Sequence, residues 1–151
     1  MRYRLDGKRV LITGGAGFIG SHLSEELTRS KNEVIVLDNL SSGSLNNLPK
    51  SNLITFFRGD VRDSKLVNRL VRKSDIVFHL AEFIPETRNY GGGHVVKFSI
   101  DNPLLDFDVS TRGTLIVLDS AKRYGKKFIF GSTAAVYGTT RVPIRESITL
   151  T

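Results

Sequence analysis

The chain has 151 residues, 40% of them hydrophobic and 25% charged, a balance that suits one globular domain with a sizeable core and argues against disorder. Its net charge is +7, but the basic residues are scattered and their densest runs, RLVRK (69–73) and KRYGKK (122–127), read as helix ends, so nucleic-acid binding is not expected. Cysteine is absent, no apolar run reaches membrane-spanning length, and His22, His79 and His94 lack metal-ligand spacing, so a soluble cytoplasmic protein with no disulfide, membrane span or metal is expected.

In chain order, RVLIT (9–13) predicts a first strand and FIGSHLSEELTRS (18–30) a helix, followed by a second strand EVIVLD (33–38). Residues 41–51 are rich in turn formers. NLITFFRGD (52–60) predicts a third strand, SKLVNRLVRK (64–73) a helix and DIVFHLA (75–81) a fourth strand. A long connection over 83–102 contains three consecutive glycines and leaves the end of that strand. Residues 103–124 predict one long helix, opened by Pro103 and stopped by Gly125, before a fifth strand KKFIF (126–130). The strands are apolar at consecutive positions, as parallel strands covered on both faces are. Strands alternating with helices predict a doubly wound α/β sheet in the order 3-2-1-4-5.

The stretch TGGAGFIGSHL (13–23) places Gly14, Gly17 and Gly20 at G-x-x-G-x-x-G spacing between the first strand and the first helix. Such a turn needs glycine for its tight backbone, for close approach of a diphosphate and for helix–sheet packing, and the helix N-terminus favours an anion. Ile19, Leu23 and Leu27 mark one face of that helix, and Asp38 stands at the end of the second strand, eighteen residues beyond Gly20. A carboxylate there can accept both hydroxyls of an adenosine ribose and repels a 2′-phosphate, which favours NAD over NADP. No lysine follows the glycines as a P-loop requires, so an ATPase reading fails.

The ordered set TGGAGFIG, LDNLSSG, GDVRD, FHLA and STAAVYG resembles the NAD-dependent nucleotide-sugar epimerases and dehydratases of the extended short-chain dehydrogenase/reductase family, and among them most resembles the UDP-glucose 4-epimerases. The resemblance implies a Rossmann fold over residues 1–151 that forms the cofactor domain only. It implies that Gly14, Gly17 and Gly20 cradle the NAD diphosphate, with Phe18 and Ile19 at the helix base. Asp38 and Asn39 would hold the adenosine ribose with Ser41, Ser42 and Gly43 nearby. Asp60 and Val61 would meet the adenine, and Leu80 and Ala81 would border the riboses. Thr133 would hydrogen-bond the reacting sugar oxygen. The implied partners are a nucleotide-sugar substrate, a UDP-hexose in the first place, and a second copy of the chain, paired through the long helix.

In the family a Tyr-x-x-x-Lys pair supplies the base, but residues four beyond Tyr3, Tyr90, Tyr124 and Tyr137 are Gly7, His94, Phe128 and Arg141. The expected reading is a polypeptide that stops before its catalytic helix and substrate domain, and so is inactive alone. Ala134 and Ala135 stand where dehydratases place an acidic pair, which makes a 4-epimerase the first reading. A dehydratase or decarboxylase, or a non-catalytic NAD-binding module, remains the alternative. Departures from the family pattern are Glu82 after HLA, Ile84, Ser110 and the YGGGH loop. His79 is expected to cap local backbone, and His22 to lie on a helix surface.

Overall fold

A computed structural model describes residues 5–82, 99–138 and 144–148. The expectations for Ile84 and the YGGGH loop lie outside those residues. Five parallel strands, β1 (Arg9–Thr13), β2 (Glu33–Asp38), β3 (Ile54–Arg58), β4 (Ile76–His79) and β5 (Lys127–Phe130), form one sheet in the expected order β3-β2-β1-β4-β5. The third and fourth strands are shorter than their apolar runs. Gly59 and Leu80, at their carboxyl ends, fall outside the strands but still donate their amides to the carbonyls of Asp38 and Thr13.

Period-two alternation divides β1 and β2 between two cores. Val10, Ile12, Val34 and Val36 pack with Leu27 of α1 (Phe18–Arg29) on one face. Leu11, Ile35, Leu37 and Val77 pack on the other with Val67, Leu70 and Val71 of α2 (Ser64–Lys73). Most of these side chains are wholly removed from water, and each such aliphatic burial contributes about 1.5–3 kcal/mol. In-register pairing of Val10, Leu11 and Ile12 with both β2 and β4 makes β1 the central strand.

The expected long helix is unbroken over 103–123 but is not α-helical throughout. It runs as α3 (Pro103–Asp106), a π-helical segment Phe107–Arg112 and α4 (Gly113–Arg123). α4 presses Val117 and Ala121 into the core and approaches the β3–α2 loop so closely that a Cβ on Gly113 would lie 2.7 Å from Val61 Cγ2. The wide turn places Asp108 within reach of Arg62 while Gly113 keeps its contact with Val61. No helix among the described residues is long and apolar enough to cross a membrane.

The candidate cofactor cleft

β1 and β4 lie where the strand order reverses, and the loops leaving them diverge above the sheet. The opening is a cleft of about 520 Å³, floored by the loop after β1 and walled by those after β2, β3, β4 and β5. Of the residues singled out in the sequence, Gly14, Gly17, Phe18, Ile19, Gly20, Asp38, Asn39, Ser42, Asp60, Val61, Leu80 and Ala81 line it. Two do not. Gly43 lies beneath the rim, where a Cβ would come 3.0 Å from the backbone of Ala16. Thr133 lies in an adjoining pocket of about 200 Å³ with Ser132 and Glu82.

The floor is built from bare backbone. Gly14 has φ +70°, and a Cβ there would sit 2.8 Å from the amide nitrogen of Ala81. A Cβ on Gly20 would fall 2.4 Å from the carbonyl oxygen of Gly14. Gly17 opens α1 without a side-chain cap and with no acidic residue in the first turn, so the helix's first N–H groups face the cleft. α2 differs: Asp63 Oδ1 accepts from the N–H groups of both Lys65 and Leu66. One helix end is closed by its own sequence and the other is left for an anion.

Asp38 joins the floor to the β2 wall. Its Oδ2 accepts from Ala16 N–H at 3.0 Å and its Oδ1 from Leu40 N–H at 2.8 Å. A carboxylate offers about four lone-pair sites, so each oxygen retains capacity for a ribose hydroxyl. The glycine floor, the open helix terminus and this carboxylate together fit a diphosphate joined to an unphosphorylated ribose.

The β3 wall holds an ion-pair network that joins residues distant in the chain. Arg62 donates to both oxygens of Asp60 at 2.8 Å and pairs with Asp108 across 46 residues of chain at 2.8 Å. Its guanidinium, hydrogen-bonded to Asp60, holds that carboxyl down to about 2. Hydrogen bonds from Arg112 and Arg62 likewise hold Asp108 below the usual carboxylate range. Asp60 and Arg62 fall together within GDVRD, but Asp108 could be joined to them only through the fold. Leu105 and Val109 reach the cleft from the same helix.

His79 does not cap backbone. It is 1% exposed, with Nδ1 2.6 Å from Thr13 Oγ1 and Nε2 2.9 Å from Thr114 Oγ1. Thr114 donates its single hydroxyl proton to the Ser110 carbonyl, so it accepts from His79 Nε2–H. Nδ1 is therefore the acceptor for the Thr13 hydroxyl, whose oxygen in turn accepts Ala81 N–H at 3.3 Å. Burial lowers the imidazole pKa to about 4, consistent with this neutral relay. His22 is exposed, as expected, with Nδ1 2.8 Å from the Phe18 carbonyl. In the second pocket, Thr133 accepts Ala135 N–H at 3.2 Å at the start of a 3₁₀ turn, Ala134–Tyr137, and its own hydroxyl proton is left to donate outward.

Residues 10–151 match the family model described as the NAD dependent epimerase/dehydratase family. The chain belongs to that family. It is 35% identical over 150 residues to a UDP-glucose 4-epimerase of Neisseria meningitidis serogroup C, covering 93% of this chain and 41% of that protein. Among solved structures it is similar to the Thermus thermophilus UDP-glucose 4-epimerase in complex with NAD, with TM-score 0.75, 40% identity and coverage of 95% and 44%. It is also similar to the UDP-N-acetylglucosamine 4-epimerase of Methanobrevibacter ruminantium in complex with UDP-N-acetylmuramic acid, with TM-score 0.79, 32% identity and coverage of 97% and 45%. The chain thus spans about two-fifths of the length of the curated relatives it matches.

Proposed function

We propose that this chain binds NAD in the cleft and constitutes the cofactor half of a nucleotide-sugar 4-epimerase acting on a UDP-hexose. The observation that carries the reading is the meeting of the Gly14–Gly20 floor with Asp38 above the switch point. In this reading Gly14, Gly17 and Gly20 admit the diphosphate beside Phe18 and Ile19, and Asp38 with Asn39 takes the adenosine ribose. Ser42 lies at that rim, with Gly43 supporting it from beneath. Asp60 and Val61 border the adenine, and Leu80 and Ala81 border the riboses.

Bound NAD supplies a reversible hydride acceptor for the sugar carbon. Thr133 has the hydroxyl proton to donate to the oxygen on that carbon. Its neighbours Ala134 and Ala135 bring no carboxylate for eliminating water, which favours epimerisation over dehydration. These 151 residues contain no Tyr-x-x-x-Lys, so the chain by itself is expected to bind cofactor without interconverting UDP-glucose and UDP-galactose. Calorimetric titration tests the reading. NAD should bind and NADP should bind at least about tenfold more weakly, a difference of about 1.4 kcal/mol. Asp38→Ala should lose most NAD affinity and narrow that gap, because the carboxylate no longer meets either the ribose or Ala16 N–H. Equal affinity for NAD and NADP in the unsubstituted chain would refute the placement of the ribose.

The same reading includes a homodimer and a cytoplasmic location. Leu104, Phe107, Leu115 and Leu118 are exposed along the helical run 103–123, with Leu104 at 84%. A stripe of that size suits a second copy of the helix. Sedimentation should show a dimer for the chain and a monomer for Leu104→Glu combined with Phe107→Glu. A monomer for both sinks the pairing.

A further inference from the structure

Glu82 follows Leu80 and Ala81 off the end of β4 and lines both the large cleft and the smaller pocket that holds Ser132 and Thr133. Its carboxylate has no hydrogen-bond or ion-pair partner among the described residues. Of the ten described residues lining the smaller pocket, it alone carries a formal charge once His79 is neutral. Arg62, the cation among the described residues lining the larger cleft, is held by Asp60 and Asp108. A dinucleotide with its ribose at Asp38 and its diphosphate at the start of α1 must cross β1 toward β4 and β5. Its second nucleoside then arrives at the wall formed by Leu80, Ala81, Glu82 and Ser132.

The oxidised nicotinamide ring carries a positive charge, and the reduced ring is neutral. We propose that Glu82 is a redox-tuning residue, whose unpartnered carboxylate makes the cleft favour NAD⁺ over NADH. This rests on the reading of the cleft as an NAD site and adds to it a residue in a role that the motifs do not assign. The bias suits a reaction that begins and ends with the cofactor oxidised, since it opposes retention of NADH after a failed turnover. A carboxylate open to solvent is partly screened, so the effect is moderate and salt-dependent.

The test is binding of NAD⁺, NADH and ADP-ribose to the 151-residue chain and to Glu82→Gln, which keeps the side chain's shape and removes its charge. The ratio of NAD⁺ to NADH affinity should fall about fivefold in Glu82→Gln at low salt, and by less at high salt. ADP-ribose, which lacks the ring, should bind both equally, and Glu82→Asp should retain much of the bias. An unchanged ratio in Glu82→Gln overturns the proposal while leaving the NAD site intact. So does an equal loss of ADP-ribose affinity, because the carboxylate would then act elsewhere on the ligand. Binding of none of the three ligands to either chain overturns the NAD reading and the proposal with it.

Discussion

Gly20→Ala is expected to lower NAD affinity by about a hundredfold or more and to destabilise the fold by about 1–3 kcal/mol. Two effects of the added methyl oppose one another. Alanine is the better helix former by about 1 kcal/mol, and Gly20 lies inside α1. Against this, the new Cβ would fall 2.4 Å from Gly14 O and 2.6 Å from Gly15 Cα. Both obstacles are backbone, so no rotamer change relieves them. Either α1 lifts from the sheet or the loop after β1 shifts, and each movement misplaces the N–H groups at the start of α1. The clash therefore outweighs the propensity gain. Gly125→Ala is the control. It has φ +60° but nothing within 4 Å of a new Cβ. Left-handed strain alone should cost about 1–2 kcal/mol there and leave NAD affinity unchanged. Chemical denaturation and calorimetry on both variants separate the two. Full NAD affinity in Gly20→Ala would mean that the cofactor does not use this turn.

The contrast between those glycines also marks how far the sequence was legible. Apolar runs such as VLI in β1 and VIVL in β2 have to be covered on both faces, so the parallel sheet and its order could be read without coordinates. The spacing of Gly14, Gly17 and Gly20 and the position of Asp38 are local in the chain, and they located the floor and one wall of the cleft. Contacts made across the fold were not legible. Nothing in FDVSTR distinguishes a π-helical segment from an ordinary turn, and the contacts that go with the wider winding, of Asp108 with Arg62 and of Gly113 with Val61, are made across the fold. Gly43 sits next to the serines of the rim in sequence but packs against Ala16 instead. Thr133 follows Gly131 and Ser132, which line both openings, by one or two residues, yet it lines only the adjoining pocket. His79 could be recognised as the end of a strand, but its partners Thr13 and Thr114 come from 66 and 35 residues away.

That histidine should make the protein lose stability in mild acid, by about 3 kcal/mol from pH 6.5 to pH 4. The folded-state pKa is depressed to about 4 by burial, against an ordinary value of 6.5. Between these values the unfolded chain binds the proton and the folded chain does not. The contribution is therefore complete above pH 6.5 and is lost as pH falls toward 4. The relay gives a structural reason. A proton on Nδ1 would meet Thr13 Oγ1, and the Thr13 hydroxyl proton would lose its acceptor in a site with no exposure to water. Asp60 cannot produce the same loss, because its carboxyl, held down to about 2, gives up its contribution only below the ordinary carboxylate value of 3.8. His79→Gln keeps an acceptor and a donor for the two threonines without a titrating group. It should be less stable than the parent chain at pH 7.5, yet nearly flat between pH 6.5 and 4 in denaturant midpoint. NAD affinity of the parent chain should fall over the same interval, since Thr13 also holds the amide of Ala81 on the cleft wall. If His79→Gln shows the parent's slope, the acid loss belongs to another group and the neutral relay is not what fixes that wall.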